Sequence, residues 1–164
     1  MDIKRVVMRN KINLSIITLT AVMLTPLVSC STQDSLFKDG YYNAEAADFD
    51  SSGWKDYITI CVSGGRIILV EFNAFNKAGF LKSWDMNYMR AMKTDAGTYP
   101  SEYTRQYANK MLFHQGTQGV DVFSGATKSH YIFLQLAEAV LENARIGEVS
   151  TRVVSISEPG PHYR

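Results

Sequence analysis

An apolar stripe near the C-terminal end does most to restrict what this chain can become. Ile132, Phe133, Leu136, Ala137, Val140, Leu141 and Ala144 recur at three- and four-residue spacing between about Tyr131 and Ala144, and Gly147 supplies a stop. A helix with so wide an apolar face must lie across another apolar surface, which commits the rest of the chain to providing one. The approach to this helix is also distinctive. Asp121-Val122-Phe123-Ser124-Gly125-Ala126-Thr127 follows a loop ending in Gly116-Thr117-Gln118-Gly119. Small residues at Ser124, Gly125 and Ala126 let a ligand come close to the backbone. Hydroxyls at Ser124 and Thr127 stand beside the unpaired amides of a first helical turn, where the dipole favours anions. The same residues suit an ordinary Ser/Thr N-cap before a core helix, so a phosphate site and a plain cap both remain open.

The surface that the helix needs is legible upstream. Tyr57 to Val62 and Arg66 to Phe72 are rich in β-branched and apolar residues, and Ser63-Gly64-Gly65 between them is a short hairpin connection. Alternation puts Ile58, Ile60 and Val62 on one face, with Ile68, Val70 and Phe72 able to share it. Tyr41 to Ala46 reads as a preceding strand, and residues 48–53 as a turn-rich break. Ser83 or Asp85 can cap a short helix through about Met92. Pro100-Ser101-Glu102 opens another reaching about Gln115, with Tyr103, Tyr107, Met111 and His114 at helical spacing. The methionines and tyrosines between them (Met86, Tyr88, Met89, Met92, Tyr99) read either as a flexible ligand wall or as core. Val149 to Ile156 alternates weakly, as an edge strand would, and Glu158-Pro159-Gly160-Pro161 is a tail. The fold class is therefore α+β, a small antiparallel sheet packed by helices. At 164 residues with no internal repeat or long linker, the chain holds one such domain.

The N-terminus is of another kind. Lys4, Arg5, Arg9 and Lys11 precede an apolar run from about Ile12 to Val28, the layout of a secretory signal. Leu27-Val28-Ser29-Cys30 resembles a lipobox, which implies that Cys30 carries the lipid, palmitate included, and becomes the mature N-terminus. An uncleaved membrane anchor is the other reading. Residues 1–29 hold four basic side chains against Asp2, so their removal takes the formal charge from +1 to −2. Neither value suggests nucleic acid, and lipid rather than a basic face does the anchoring. With Cys30 used in this way, Cys61 has no partner and reads as a small strand residue; no metal or redox pair follows from the cysteines.

Asp121-x-x-Ser124-Gly125-Ala126-Thr127 resembles the flavinylation motif of FMN-binding domains, D-x-x-[ST]-G-A-T. Asp39-Gly40-Tyr41-Tyr42, Gly53-Trp54-Lys55-Asp56, Asn76-Lys77-x-Gly79 and Lys82-Ser83-Trp84-Asp85-x-x-Tyr88 extend the likeness to small FMN-binding lipoproteins of bacterial surfaces, the major membrane immunogen type. It covers about Asp39 to Ala144. The Pro-Gly-rich flavin loop of the ion-pumping quinone-reductase subunits that share this domain has no counterpart here.

The resemblance implies an FMN-binding-domain-like fold over residues 39–147, between a signal peptide (1–29), a polar tether (30–38) and a C-terminal tail (148–164). It implies FMN joined by a phosphoester to Thr127, attached by a flavin transferase that uses FAD and a divalent metal. Ser124, Gly125, Ala126, Asp121 and Lys128 complete the set of cofactor-binding residues, and no catalytic residue or metal ligand is assigned. Asp121 either positions metal or loop for the transferase or makes an Asx-type turn. Lys128 either faces the phosphate or is solvated, while His130 reads as a surface helix residue. Trp54 and Trp84 either stack on the flavin or belong to the core. The function implied is an electron carrier rather than a complete enzyme, held outside the cytoplasm at the cell membrane or outer membrane. Its partners would be redox proteins or a quinone-linked reductase. A noncovalent FMN-binding module, or a cofactor-free surface lipoprotein serving adhesion or as a peptide-pheromone precursor, are the alternatives.

Overall fold

In the computed structural model residues 36–157 are described. The signal peptide, Cys30, most of the tether and residues 158–164 lie outside them. Four strands form one sheet: β1 (Gly40–Ala46), β2 (Lys55–Ser63), β3 (Arg66–Phe75) and β4 (Arg152–Val154), in the order β3-β2-β1-β4. Three helices cover it: α1 (Met86–Ala96), α2 (Pro100–His114) and α3 (Thr127–Ile146). The class is α+β as expected, but the sheet is mixed. β1 and β2 are antiparallel, as are β2 and β3, whereas β4 lies parallel to β1. The helices act as one crossover that returns the chain in its former direction, which a hairpin cannot do.

The hairpin turn is Gly64-Gly65, with φ of 59° and 71°, the left-handed pair that a two-residue turn of the I′ kind requires. Asp39 closes it from the next strand, its two carboxylate oxygens each accepting a backbone N–H, from Gly64 and Gly65, at 2.9 Å. The two donors, Gly65 first, hold this carboxyl below its usual range. On β2 the inward face is Asp56, Ile58, Ile60 and Val62. On β3 the expected face is broken. Ile58 pairs with Phe72 and Ile60 with Val70, but Val62 pairs with Ile67 because Ile68 is an extra residue opposite the Cys61–Val62 step. This bulge turns Ile68 out to solvent and brings Ile67 into the core.

The α3 stripe is buried as its spacing predicts, and the helix starts four residues earlier than the stripe, at Thr127. Phe133 packs edge-on to Phe72 and stacks on Tyr107, with ring centroids 5.2 and 5.3 Å apart. On α2 the buried positions include Tyr103, Tyr107 and Met111, while His114, expected with them, is exposed because it falls on the last turn where the helix leaves the sheet. Gln115 ends α2 at φ 58°. Its side-chain amide accepts from Ile67 N and donates to Ile67 O, at 2.8 and 3.0 Å, tying the helix end to β3. Asp85 caps α1 by accepting from Asn87 and Tyr88 N–H, and α1 runs past Met92 to Ala96 without burying any residue. None of its Met and Tyr residues is fully buried, although Met92 packs half-buried against the core and Tyr88 packs edge-on to Trp54.

At the other end, the chain joins the domain before the expected tether ends. Phe37 is 2% exposed within the core, and Lys38 N–H donates to Ala144 O at 2.9 Å. An aromatic residue in a polar run finds apolar surface at the foot of α3. Asn143, buried on α3, donates to Ser150 O at 3.0 Å and guides the chain from the helix towards β4.

Candidate functional site

The segment before α3 is held in place by one hydroxyl. Tyr107 Oη accepts from Phe123 N–H at 3.1 Å and donates to Ala126 O at 3.2 Å, spanning a turn closed by Ala126 N–H to Phe123 O. His130 Nε2–H donates to Val120 O at 2.8 Å, fixing the other end of the segment. Tyr107→Phe would leave the Phe123 amide without its acceptor, with an expected loss of about 1–3 kcal/mol. Urea unfolding and faster amide exchange at Phe123 would report it, and an unchanged midpoint would remove this role from Tyr107.

Within the motif the residues divide by task. Gly125 has φ +78°, and a Cβ there would lie 2.1 Å from Ala96 O. Its missing side chain makes room for the end of α1 rather than for a ligand. Ala126 is buried in the core. Ser124, Thr127, Lys128 and Asp121 are exposed. Asp121 forms an ion pair with Lys110 at 3.4 Å on an open surface, worth little to stability. Its carboxylate makes no Asx turn among the described residues. The N-cap is Ala126, without a side-chain cap bond, so the Ser/Thr cap that was one reading of this segment is not what forms. Thr127 instead opens the helix as its first residue, at the positive end of a 20-residue dipole.

Two adjoining cavities lie beside this helix start. One, of about 160 Å³, is lined by Lys82, Tyr88, Tyr103, Ser129 and the Gly125–Ala126 backbone among others. The second, of about 300 Å³, reaches Trp54 and Phe49. Asp50, Asp56, Lys128 and Ile132 line both. Asp50 is engaged in its own turn, accepting from Ser52 and Trp54 N–H at 2.9 Å. Lys82, only 8% exposed, sets its ammonium 4.8 Å from the Tyr88 ring centroid and 5.8 Å from that of Trp54. Tyr103 is raised above the usual phenol range by burial, against a hydrogen bond to Ser129.

Asp56 is the residue that reading the sequence missed. It is 9% exposed, and burial pushes its carboxyl up to about 6, with Lys82 and Lys128 opposing and Asp50 adding to the rise. The signal was present in the alternation of β2, which places Asp56 on the same side as Ile58, Ile60 and Val62. Of the two tryptophans, Trp54 is brought to these cavities. Trp84 is 66% exposed and borders a separate cleft with Ser101, Arg105 and Asn109.

No protein-family model matches the sequence. The chain is similar to the 15 kDa lipoprotein of Treponema pallidum (strain Nichols), 35% identical over 128 residues that cover 78% of this chain and 90% of the relative. It is also similar to the CPE2226 protein of Clostridium perfringens, whose crystal structure aligns with a TM-score of 0.71 at 35% identity, over 74% of this chain and 99% of that one. By the extent of the first, the chain belongs to the family of the Treponema pallidum 15 kDa lipoprotein.

Proposed function

We propose that this protein is a lipoprotein, anchored at an extracytoplasmic membrane face through Cys30, that carries FMN on Thr127 and relays electrons between partners. The anchor rests on the lipobox-like Leu27-Val28-Ser29-Cys30 and on a relative named as a lipoprotein. The observation that carries the flavin reading is the position of Thr127: exposed, first in a 20-residue helix with no side-chain cap, and beside cavities that offer Lys82, Lys128 and Ser129. These residues fit a phosphoester. Backbone amides of the first turn can donate to its oxygens, and an anion at this end of a helix gains about 0.3–1 kcal/mol. When bound, the flavin supplies the electron chemistry. Thr127 Oγ1 would hold it, with Trp54, Tyr88, Lys82 and Lys128 lining the cavities beside that residue. Thr127 acts as a nucleophile once, when the transferase joins phosphate to its hydroxyl.

Intact mass and in-gel flavin fluorescence of the chain co-expressed with a flavin transferase test this directly. The wild type is expected to gain one FMN phosphoester and Thr127→Ala to gain none while keeping its fold. A wild type without adduct, beside a control substrate that the transferase does modify, would leave noncovalent FMN binding or a cofactor-free role, which titration with free FMN separates.

A further inference from the structure

Flavin attachment at Thr127 leaves the burial of Asp56 unexplained. Its carboxylate forms no hydrogen bond or ion pair among the described residues, yet it faces both cavities from the inward side of β2. A charged or titratable group addresses it from each surrounding element. They are Asp48 and Asp50 from the segment before β2, Lys82 from the 3₁₀ turn Lys82–Trp84, Tyr88 from α1, Tyr103 from α2 and Lys128 from α3. The two cavities set Lys82 and Lys128 among the carboxyls of Asp48, Asp50 and Asp56. Protonating Asp56 removes one negative charge from among them. A buried group with no partner to hold its proton state responds strongly to charge placed nearby.

We propose that Asp56 is the charge-compensating proton acceptor of this site: negative charge entering beside Lys82 and Lys128 is matched by a proton taken from solvent onto the Asp56 carboxylate. The step makes one O–H bond, consumes one solvent proton and breaks no bond in the protein. The inference rests on the flavin reading above for the source of that charge, the phosphate of FMN. Charge added to the cofactor by a reduced carrier protein acts on Asp56 in the same direction.

Carboxyl ¹³C NMR of the full chain in detergent micelles reads the protonation of Asp56, with Asp56→Asn assigning its signal. The expected midpoint is about 6 in the chain alone, moving up by about one unit in Lys128→Glu, which supplies negative charge without any ligand. The same upward movement is expected in the chain flavinylated on Thr127 by a co-expressed flavin transferase, measured beside the unmodified chain. An Asp56 midpoint near the ordinary carboxylate value of about 4 that stays there in Lys128→Glu overturns the proposal. A midpoint that moves in Lys128→Glu but not on flavinylation of Thr127 upholds the proton acceptor and overturns the flavin phosphate as the source of the charge.

Discussion

Gly125→Ala is expected to cost about 2–4 kcal/mol, a large share of the roughly 5–15 kcal/mol that holds a domain of this size together. Two independent effects add. A left-handed φ of +78° disfavours any residue with a Cβ by about 1–2 kcal/mol. The new methyl would also sit 2.1 Å from Ala96 O and 3.2 Å from Thr98 Cγ2. The obstacle at Ala96 is backbone at the end of a capped helix, so relief requires α1 and the segment before α3 to part. A fall in thermal midpoint of many degrees is the expected reading, and a midpoint within a degree of wild type would mean that this contact is not made. The result bears on function too. Loss of a flavin adduct in Gly125→Ala would report collapse of the motif, not a lost ligand contact, whereas Ser124→Ala, exposed and unstrained, leaves the fold alone and tests ligand contact cleanly.

Asp56→Asn is expected to stabilise the protein, by about 3 kcal/mol at pH 7.5. A carboxyl raised from 3.8 in the unfolded chain to about 6 when folded resists ionisation in the native state, and about 1.4 kcal/mol accompanies each unit. The sign follows from the direction of the shift. The contribution of the protonated form is fully present below pH 3.8 and is lost as pH rises through 6. Asp39 and Glu148 work the other way, each held below its usual range by backbone N–H donors. Their contributions are present at neutral pH and lost on acidification. The quantity to measure is therefore the difference between wild type and Asp56→Asn in urea midpoint, from pH 4 to 8. It should be small at pH 4 and grow through pH 6. A flat difference would show that Asp56 titrates like an exposed carboxylate. A residue that weakens the fold at working pH and lies in a polar cavity is the pattern of a site shaped for something other than stability.

The parts of this fold that depend on local periodicity were readable in the chain. The α3 stripe, the Gly64-Gly65 hairpin and the Pro100 helix start each rest on residues within one or two turns of each other. What depended on register was not. Ile68 could be placed outward only by knowing that β3 holds one residue more than β2 at that step, and alternation counted on a single strand does not contain that fact. Phe37 and His114 were misplaced because the neighbours that bury the first and free the second are distant in sequence. The motif before α3 was found from its residue types, but its division of labour was hidden. Gly125 answers to Ala96 and Ala126 to the core, and neither partner can be named from the motif. Asp56 was hidden differently. It stands in Gly53-Trp54-Lys55-Asp56 at the strand's entrance, yet counting back by twos from Val62 puts it among the isoleucines.

The placement of β1 has a mechanical consequence. This is the first strand after the N-terminal segment, yet it lies inside the sheet, with β2 antiparallel on one side and β4 parallel on the other. A pull transmitted through the proposed lipid tether therefore runs along β1 and drags it lengthwise past both neighbours. Its backbone hydrogen bonds are loaded together, in shear, rather than opened one at a time from an end. Phe37 and Lys38, held at the foot of α3, meet the force before the strand does, and Asp39 clasps the Gly64-Gly65 turn just behind them. A domain proposed to hang from a membrane by its N-terminus is thus gripped at an interior strand rather than at an edge.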